Sequence, residues 1–363
     1  MKYVQEYRNP KFVKDLAKRI REITTRNWSI MEVCGGQTHS ILKFGIDQLI
    51  PERIRLIHGP GCPVCVTPAS IIDKALAIGR LDNVILCTFG DMVRVPGIND
   101  NLLQAKASGS DIRVIYSPID CLQIARENPD KKVVFFAIGF ETTAPANAMA
   151  VFQSEKLKLS NFSILPAQVL IPPAIEKLLS DENCRIDGIL APGHVCTIIG
   201  LKDYKRISRR FNIPIVITGF EPVDILDGFY HVVSQLEDNQ ACVENRYSRS
   251  VRDEGNPEAL RIIDEVFDVA DREWRGIGMI PKSGLKLNER YAHYDAEQRF
   301  DVDSAVDEAD SECISGLVLQ GVMKPTECSS FGRECTPEHP LGATMVSSEG
   351  ACAAYYLYKR NSK

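Results

Sequence analysis

The chain has 363 residues, 25% of them charged, and a formal net charge of −5. That balance excludes an electrostatic fit to nucleic acid or to an anionic membrane surface, and no apolar run approaches the ~18 residues a membrane-spanning helix needs. The length suits about two or three domains. Twelve cysteines behind an N-terminus without an apolar leader point to the cytoplasm, where thiols more often bind metal or carry redox chemistry than form a disulfide framework.

Residues 1–29 read as a charged amphipathic helix, with Pro10 in its first turn and Val13, Leu16, Ile20 and Ile23 on one face. Short β-branched runs then alternate with helical patterns. They are "WSIMEV", "IRLIHG", "NVILCTFG" and "DIRVIYS" in one stretch, and "KVVFFAIGF", "FSILPAQVLI", "GILAPGH" and "PIVITGF" in the next. Continuous apolar runs of this kind are buried parallel strands in α/β units. The fold class is therefore α/β, with two similar parallel-sheet domains expected at 30–120 and 121–245. Beyond 245 the sequence turns charged and helical, passes through a linker-like stretch, and ends in a loop-rich tail. This predicts a third, mostly helical, metal-stapled domain over 246–363, on which the N-terminal helix packs.

The chemistry-bearing motifs fall in the strand-end loops, where open α/β sheets hold their ligands. "EVCGGQTHS" places Cys34 at a strand end and His39 five residues on. Two glycines admit close backbone approach, and a thiol at a helix N-terminus is expected to have a lowered pKa. His39 suits a ligand, a proton carrier or an orienting group; a buried structural cysteine with a capping histidine reads equally well. "HGPGCPVCVTP" carries the Cys62–Cys65 pair just before a helix expected at Thr67–Pro68, whose dipole favours thiolate. The pair is either a dithiol/disulfide couple or half of a zinc site completed by Cys34 and His39; its rigid frame favours redox. His58 reads as a satisfied structural histidine. "GFETTAPAN" sets Glu141 at a strand end, able to orient a thiol or histidine across a cleft, or simply part of a helix cap. "APGHVCTIIG" offers His194, with Cys196 beyond it, and "GFEPVD" offers Glu221 and Asp224. Cys87, Cys121, Cys184 and Cys242 have no partner at ligand spacing and read as small core residues.

In the tail, Cys313, Cys328, Cys335 and Cys352 are separated by 14, 6 and 16 residues. Four thiolates form the ligand set of a [4Fe–4S] cluster or a structural zinc. Zinc sites usually take close pairs, so the wide gaps favour an iron–sulfur cluster wrapped by loops and anchored by the last helix.

"CGGQTHS", "GPGCPVCVTP", "GFETTAP", "PGHVCTIIG" and the cysteine tail, in this order, resemble the HypD family of [NiFe]-hydrogenase maturation factors from near residue 1 to near 360. Two departures are Cys196, where a serine is expected, and Gln37, where some members carry histidine. The resemblance implies a scaffold on which the Fe(CN)₂CO group of the hydrogenase is built. The chain, a monomer on its own, would work with the small chaperone HypC and receive cyanide from HypE, with HypF upstream. It implies Cys34 as the transient iron's ligand, shared with HypC, with His39 beside it. Cys62 and Cys65 would be the redox pair, with Glu141 and His194 in the same machinery. Cys313, Cys328, Cys335 and Cys352 would hold the [4Fe–4S] cluster. The competing class is an iron–sulfur-driven thiol–disulfide oxidoreductase acting on a protein disulfide, which needs no iron at Cys34. A nucleotide-binding protein ranks low, because no Walker-type or G-x-G-x-x-G loop is present.

Overall fold

Nine strands sort into two parallel sheets in the computed structural model, which describes residues 5–302 and 313–359. The expected outer ends of the first and last segments, and 303–312, lie outside the described residues. The strands are β1 (Trp28–Glu32), β2 (Ile54–His58), β3 (Val84–Thr88), β4 (Asp111–Val114), β5 (Lys132–Gly139), β6 (Phe162–Gln168), β7 (Gly188–Pro192), β8 (Ile215–Thr218) and β9 (Val243–Asn245). The first sheet runs β2-β1-β7-β8-β9 and the second β4-β3-β5-β6. β3, β6 and β7 are buried throughout, as strands covered on both faces must be.

The α/β class with two similar parallel sheets is what the β-branched runs predict. Both sheets place their second strand outermost, then the first, third and fourth. The sheets do not, however, divide the chain near residue 120. β3 to β6 form the second sheet, and the first is completed only when β7 to β9 return beside β1. Strand pairing is non-local, and nothing in a β-branched run states which sheet it joins.

Two further expectations are corrected. The N-terminal helix, Pro10–Ile23, packs on the helix Pro222–Glu237 of the first sheet's outer layer, not on the C-terminal segment. Ile20 is fully buried among Ile30, Ile41, Leu190 and Phe229, so the apolar stripe completes that core. The charged stretch after 245 does not stay helical. After the helix Pro257–Val266 it forms an antiparallel hairpin, β10 (Phe267–Trp274) and β11 (Gly278–Leu287), turned by Gly276 and Gly278 at positive φ. The hairpin straddles two cores. Phe267 and Leu285 join the core against the second sheet, while Trp274 and Ile280 join that against the first. The fully buried Trp274 indole N–H donates to Ser283 Oγ at 3.0 Å. Short helical turns lead from Cys313 to the C-terminal helix Ala351–Lys359.

Candidate functional site

Strand order decides what meets at the carboxyl edge of the first sheet. β1 pairs in parallel with β2 on one side and β7 on the other, with Glu32 opposite both His58 and Leu190. The loops that follow these strands carry Cys34, Cys62–Cys65 and His194. The crossover direction reverses between β1 and β7, which makes this the switch point where such sheets bind ligands. Cys34 and His194 flank it, with Cys34 Sγ 3.6 Å from His194 Nδ1.

Cys34 occupies the cap position of the helix Gly35–Lys43 and is 2% exposed. Its amide donates to Glu32 Oε2 at 2.9 Å. A Cβ on Gly61 would come within 2.3 Å of the Cys34 nitrogen, so only glycine lets the two thiol loops nest. The expected low thiol pKa is not found. Burial pushes the Cys34 thiol well up, the Glu32 and Glu349 carboxylates add to this, and the N–H groups of Gln37 and Gly36 offset only part. Desolvation outweighs the helix terminus. Burial likewise pushes His194 down to about 4, so its imidazole is neutral near pH 7. Phe220, from the loop after β8, lies against the His194 ring at 5.3 Å.

The imidazole beside Cys34 is thus His194. His39 turns to the C-terminal segment, where its Nδ1 donates to the Ser348 carbonyl at 3.4 Å and its Nε2 meets the Tyr358 hydroxyl at 3.3 Å. A carbonyl only accepts, so His39 Nδ1 carries a proton. His58 is satisfied in the same way, as the sequence suggests. Its Nδ1 donates to buried Glu32 at 2.6 Å and its Nε2 lies 3.4 Å from the Tyr355 hydroxyl. Thr38 also donates to Glu32. Two histidines thereby hold two tyrosines, three residues apart, on the helix that carries Cys352. Gln37 spans the ends of β7 and β8, donating to the Ala191 and Thr218 carbonyls at 3.3 and 3.4 Å.

Cys62 caps a single helical turn, Pro63–Val66, that contains Cys65 and is too short for much dipole. Both are buried and unbridged. Burial again pushes Cys65 well up, followed by its hydrogen bond with Cys62 and by the charges of Cys62, Cys352 and Glu349. The tail also comes against the dithiol directly, with Cys65 Sγ 3.9 Å from the Ala343 carbonyl oxygen. A Cβ on Gly350 would lie 3.0 Å from Cys65 Sγ, and one on Gly35 would collide with Glu349.

The four tail thiols act on one another. Burial first, then Cys313, Cys335 and Cys328, push Cys352 up to about 12, against a hydrogen bond from Thr344 at 3.1 Å. The Leu341 amide donates to Cys335 Sγ at 3.4 Å, and Gly342 makes room for Cys313 Sγ, which a Cβ would approach to 2.2 Å. Among the described residues no three His, Cys, Asp or Glu side chains gather closely enough for one metal ion. The donor set is thiols alone, with N–H and O–H groups turned to sulfur, which fits a thiolate-held cluster.

Glu141 stands apart, at the switch point of the second sheet. Its Oε1 accepts the Ile171 N–H at 2.9 Å, at the start of a helix whose next two residues are prolines without an N–H. Burial raises its carboxyl to about 7, and its neighbours include Tyr204 and Cys196. It caps a helix across the two sheets, while neither Thr142 nor Thr143 caps its own helix through a side chain. Glu221 and Asp224 are held by Arg8 and Arg249, the latter at 2.8 and 2.6 Å. With Phe220 and Tyr247 they line an open cavity of about 440 Å³, and Phe220 joins it to His194. Cys87 and Cys121 are core residues as expected, whereas Cys184 is half-buried and Cys242 exposed. Sequence reasoning passed over Glu32 and Glu349. Each had a signal: an acid ending an apolar strand beside Cys34, and an acid three residues before the last tail cysteine.

Comparison with known proteins gives the family. Residues 11–359 match the hydrogenase formation hypA family, HypD. The chain belongs to this family. It is 46% identical to the hydrogenase maturation factor HypD of Escherichia coli K12, over 99% of each chain. It is 45% identical to that of Rhodobacter capsulatus, over 99% of this chain and 98% of the relative. To that of Azotobacter vinelandii it is 44% identical, over 99% and 97%. The family assignment thus rests on the whole chain, tail included. No helix among the described residues is long and apolar enough to cross a membrane.

Proposed function

We propose that this chain is a hydrogenase maturation scaffold on which an Fe(CN)₂CO group is assembled, with Cys34 as the iron ligand and Cys62–Cys65 as the reductant beside it. The observation that carries the reading is the row of thiols: Cys34 beside His194, Cys62–Cys65 in the next loop, and Cys65 Sγ against the Ala343 carbonyl of the cysteine tail at 3.9 Å. A low-spin iron carrying cyanide and CO needs soft thiolate support. Because burial holds Cys34 protonated, iron binding must displace a proton, and the neutral His194 imidazole is placed to accept it. The open cavity beside Phe220 leaves this face free for a partner of the HypC type to supply a second thiolate and for HypE to present cyanide.

Cyanide arrives on a carrier as a thiocyanate, and its release as cyanide takes two electrons. The Cys62 and Cys65 dithiol provides them. The carrier's S–C bond breaks, the Cys62–Cys65 disulfide forms, and the two thiol protons leave on the carrier thiol and on HCN. Two electrons and two protons regenerate the dithiol, the electrons coming from an external one-electron donor. Cys313, Cys328, Cys335 and Cys352 would hold a [4Fe–4S] cluster, which when bound supplies electrons singly. Four thiols at wide sequence gaps suit a cluster better than one zinc ion, which usually takes close pairs.

The test is co-expression with the small HypC-type chaperone and infrared spectroscopy of the purified complex. Wild type should show cyanide and CO bands, and Cys34→Ala should lose them together with the bound iron. Bands that persist in Cys34→Ala overturn the assignment and leave the alternative, a thiol–disulfide oxidoreductase driven from the cluster.

A further inference from the structure

A cavity of about 210 Å³ lies between the first turn of the helix Ala69–Gly79, the end of β6 and the hairpin β10–β11. Its lining contains no cysteine or histidine, and the reading above makes no use of it. One wall is apolar, formed by Ile71, Ala167 and Val169. Arg272 reaches in from the hairpin and is only partly satisfied. Its Nη2 donates to the Leu285 carbonyl at 2.9 Å, while its Nε is buried with no partner among the described residues. The nearest carboxylates are committed elsewhere. Glu297 binds Lys74, and Asp295 accepts from the first turn of the helix Ala296–Arg299. A buried cation is ordinarily paired, since its desolvation costs several kcal/mol. The backbone is also cut away for this side chain: a Cβ on Gly284 would fall 1.9 Å from Arg272 Cγ.

The cavity's charge and size choose the ligand. Lys74 is bound to Glu297, so among the described lining residues Arg272 is the cation without a carboxylate partner, enough for one carboxylate and too little for a dianion. The volume is below the ~300 Å³ at the low end of drug-sized pockets, leaving room for a body of only a few carbons. We propose that this cavity binds a small organic monocarboxylate, its carboxylate on Arg272 and its short apolar body against Ile71, Ala167 and Val169. The occupant would lie beside the segment that leaves the dithiol. Thr67 and Pro68 line the cavity, and the Thr67 hydroxyl donates back to the Pro63 carbonyl at 2.8 Å.

The experiment titrates the whole, anaerobically purified chain with butyrate and, separately, with inorganic phosphate at matched ionic strength. Calorimetry and thermal unfolding are the readouts. Butyrate should bind saturably and raise the melting temperature with concentration, and phosphate should bind about tenfold more weakly or less. Arg272→Gln should weaken butyrate by about tenfold or more, the scale of a lost charge-assisted hydrogen bond. Because Arg272 is largely buried, Met279→Glu serves as a second variant. Met279 lines the cavity yet is 61% exposed, so the added carboxylate should leave the ligand-free melting temperature in place and still weaken butyrate. Three results would overturn the proposal: no saturable butyrate binding to wild type, phosphate binding as tight as butyrate, or butyrate affinity unchanged in whichever variants fold.

Discussion

The two sheets share a strand order and differ in what they do with it. Each reverses direction between its first and third strands, and each thereby opens a crevice at its carboxyl edge. In the first sheet that crevice holds Cys34 and His194, with Cys62–Cys65 in the adjoining loop. In the second it holds Glu141, and the carboxylate is spent on capping a helix that packs against the first sheet's core. Topology therefore provides two candidate sites, and their side chains differ: thiols and an imidazole in one, a helix-capping carboxylate in the other. The C-terminal tail sharpens the contrast. His39 and His58 tie it to the first sheet's edge, while Arg94, beyond β3 of the second, donates to the Pro337 and Val346 carbonyls at 3.2 and 3.1 Å.

The largest effects should come from the thiol crevice. Replacing Cys62 and Cys65 together by serine should abolish cyanide transfer, measured as cyanide infrared bands on the complex, with the melting temperature close to wild type. Unchanged cyanide bands would break the relay and return the pair to packing. Next is the second crevice. The Glu141 carboxyl, raised from 4.5 to about 7 by burial, binds its proton more tightly in the folded chain than in the unfolded one. Stability therefore falls as pH rises from 4.5 toward 7, with a loss of ~3 kcal/mol at ~1.4 kcal/mol per unit. Glu141→Gln keeps the acceptor for the Ile171 N–H and removes the charge. Urea unfolding at several pH values should show this descent in wild type and a flatter line in the variant. Equal slopes would mean that Glu141 does not carry the pH dependence.

Gly61→Ala should cost about 1–3 kcal/mol, the range for overpacking, because its Cβ meets the Cys34 backbone. An unchanged denaturation midpoint would show that the thiol loops do not nest as tightly as described. The smallest effect belongs to the tail's attachments. Tyr358→Phe removes one long hydrogen bond to His39 and should cost about 0.5–1.5 kcal/mol or less. It should speed alkylation of the tail cysteines in the metal-free chain without removing iron from the Cys34 site. Loss of iron in this variant would move His39 from the tail's anchor into the iron's surroundings.

Local pattern and tertiary arrangement divide the explanation at identifiable residues. The β-branched runs are visible as buried parallel strands because continuous apolarity is a local property. The loop motifs are visible because glycine, proline and cysteine at short spacing restrict the backbone and bring reactive groups with them. Glu32 escaped because a lone acid ending a strand looks like an ordinary boundary; its role exists only once Thr38, His58 and the Cys34 amide turn toward it. The hairpin β10–β11 escaped because exposed Asp268, Asp271, Lys282 and Lys286 give it a charged look, while Phe267 and Trp274 at the two ends of β10 reach different cores.

By itself, then, the sequence determined the α/β class, the family resemblance, the thiols and the loops they occupy, all of which depend on residues near one another in the chain. Only the tertiary structure decided that β1 lies between β2 and β7, that the imidazole beside Cys34 is His194 rather than His39, and that burial raises the Cys34 thiol instead of the helix terminus lowering it. These are matters of non-local pairing and of desolvation. Both depend on what the rest of the chain brings against a residue, which its sequence neighbours do not specify.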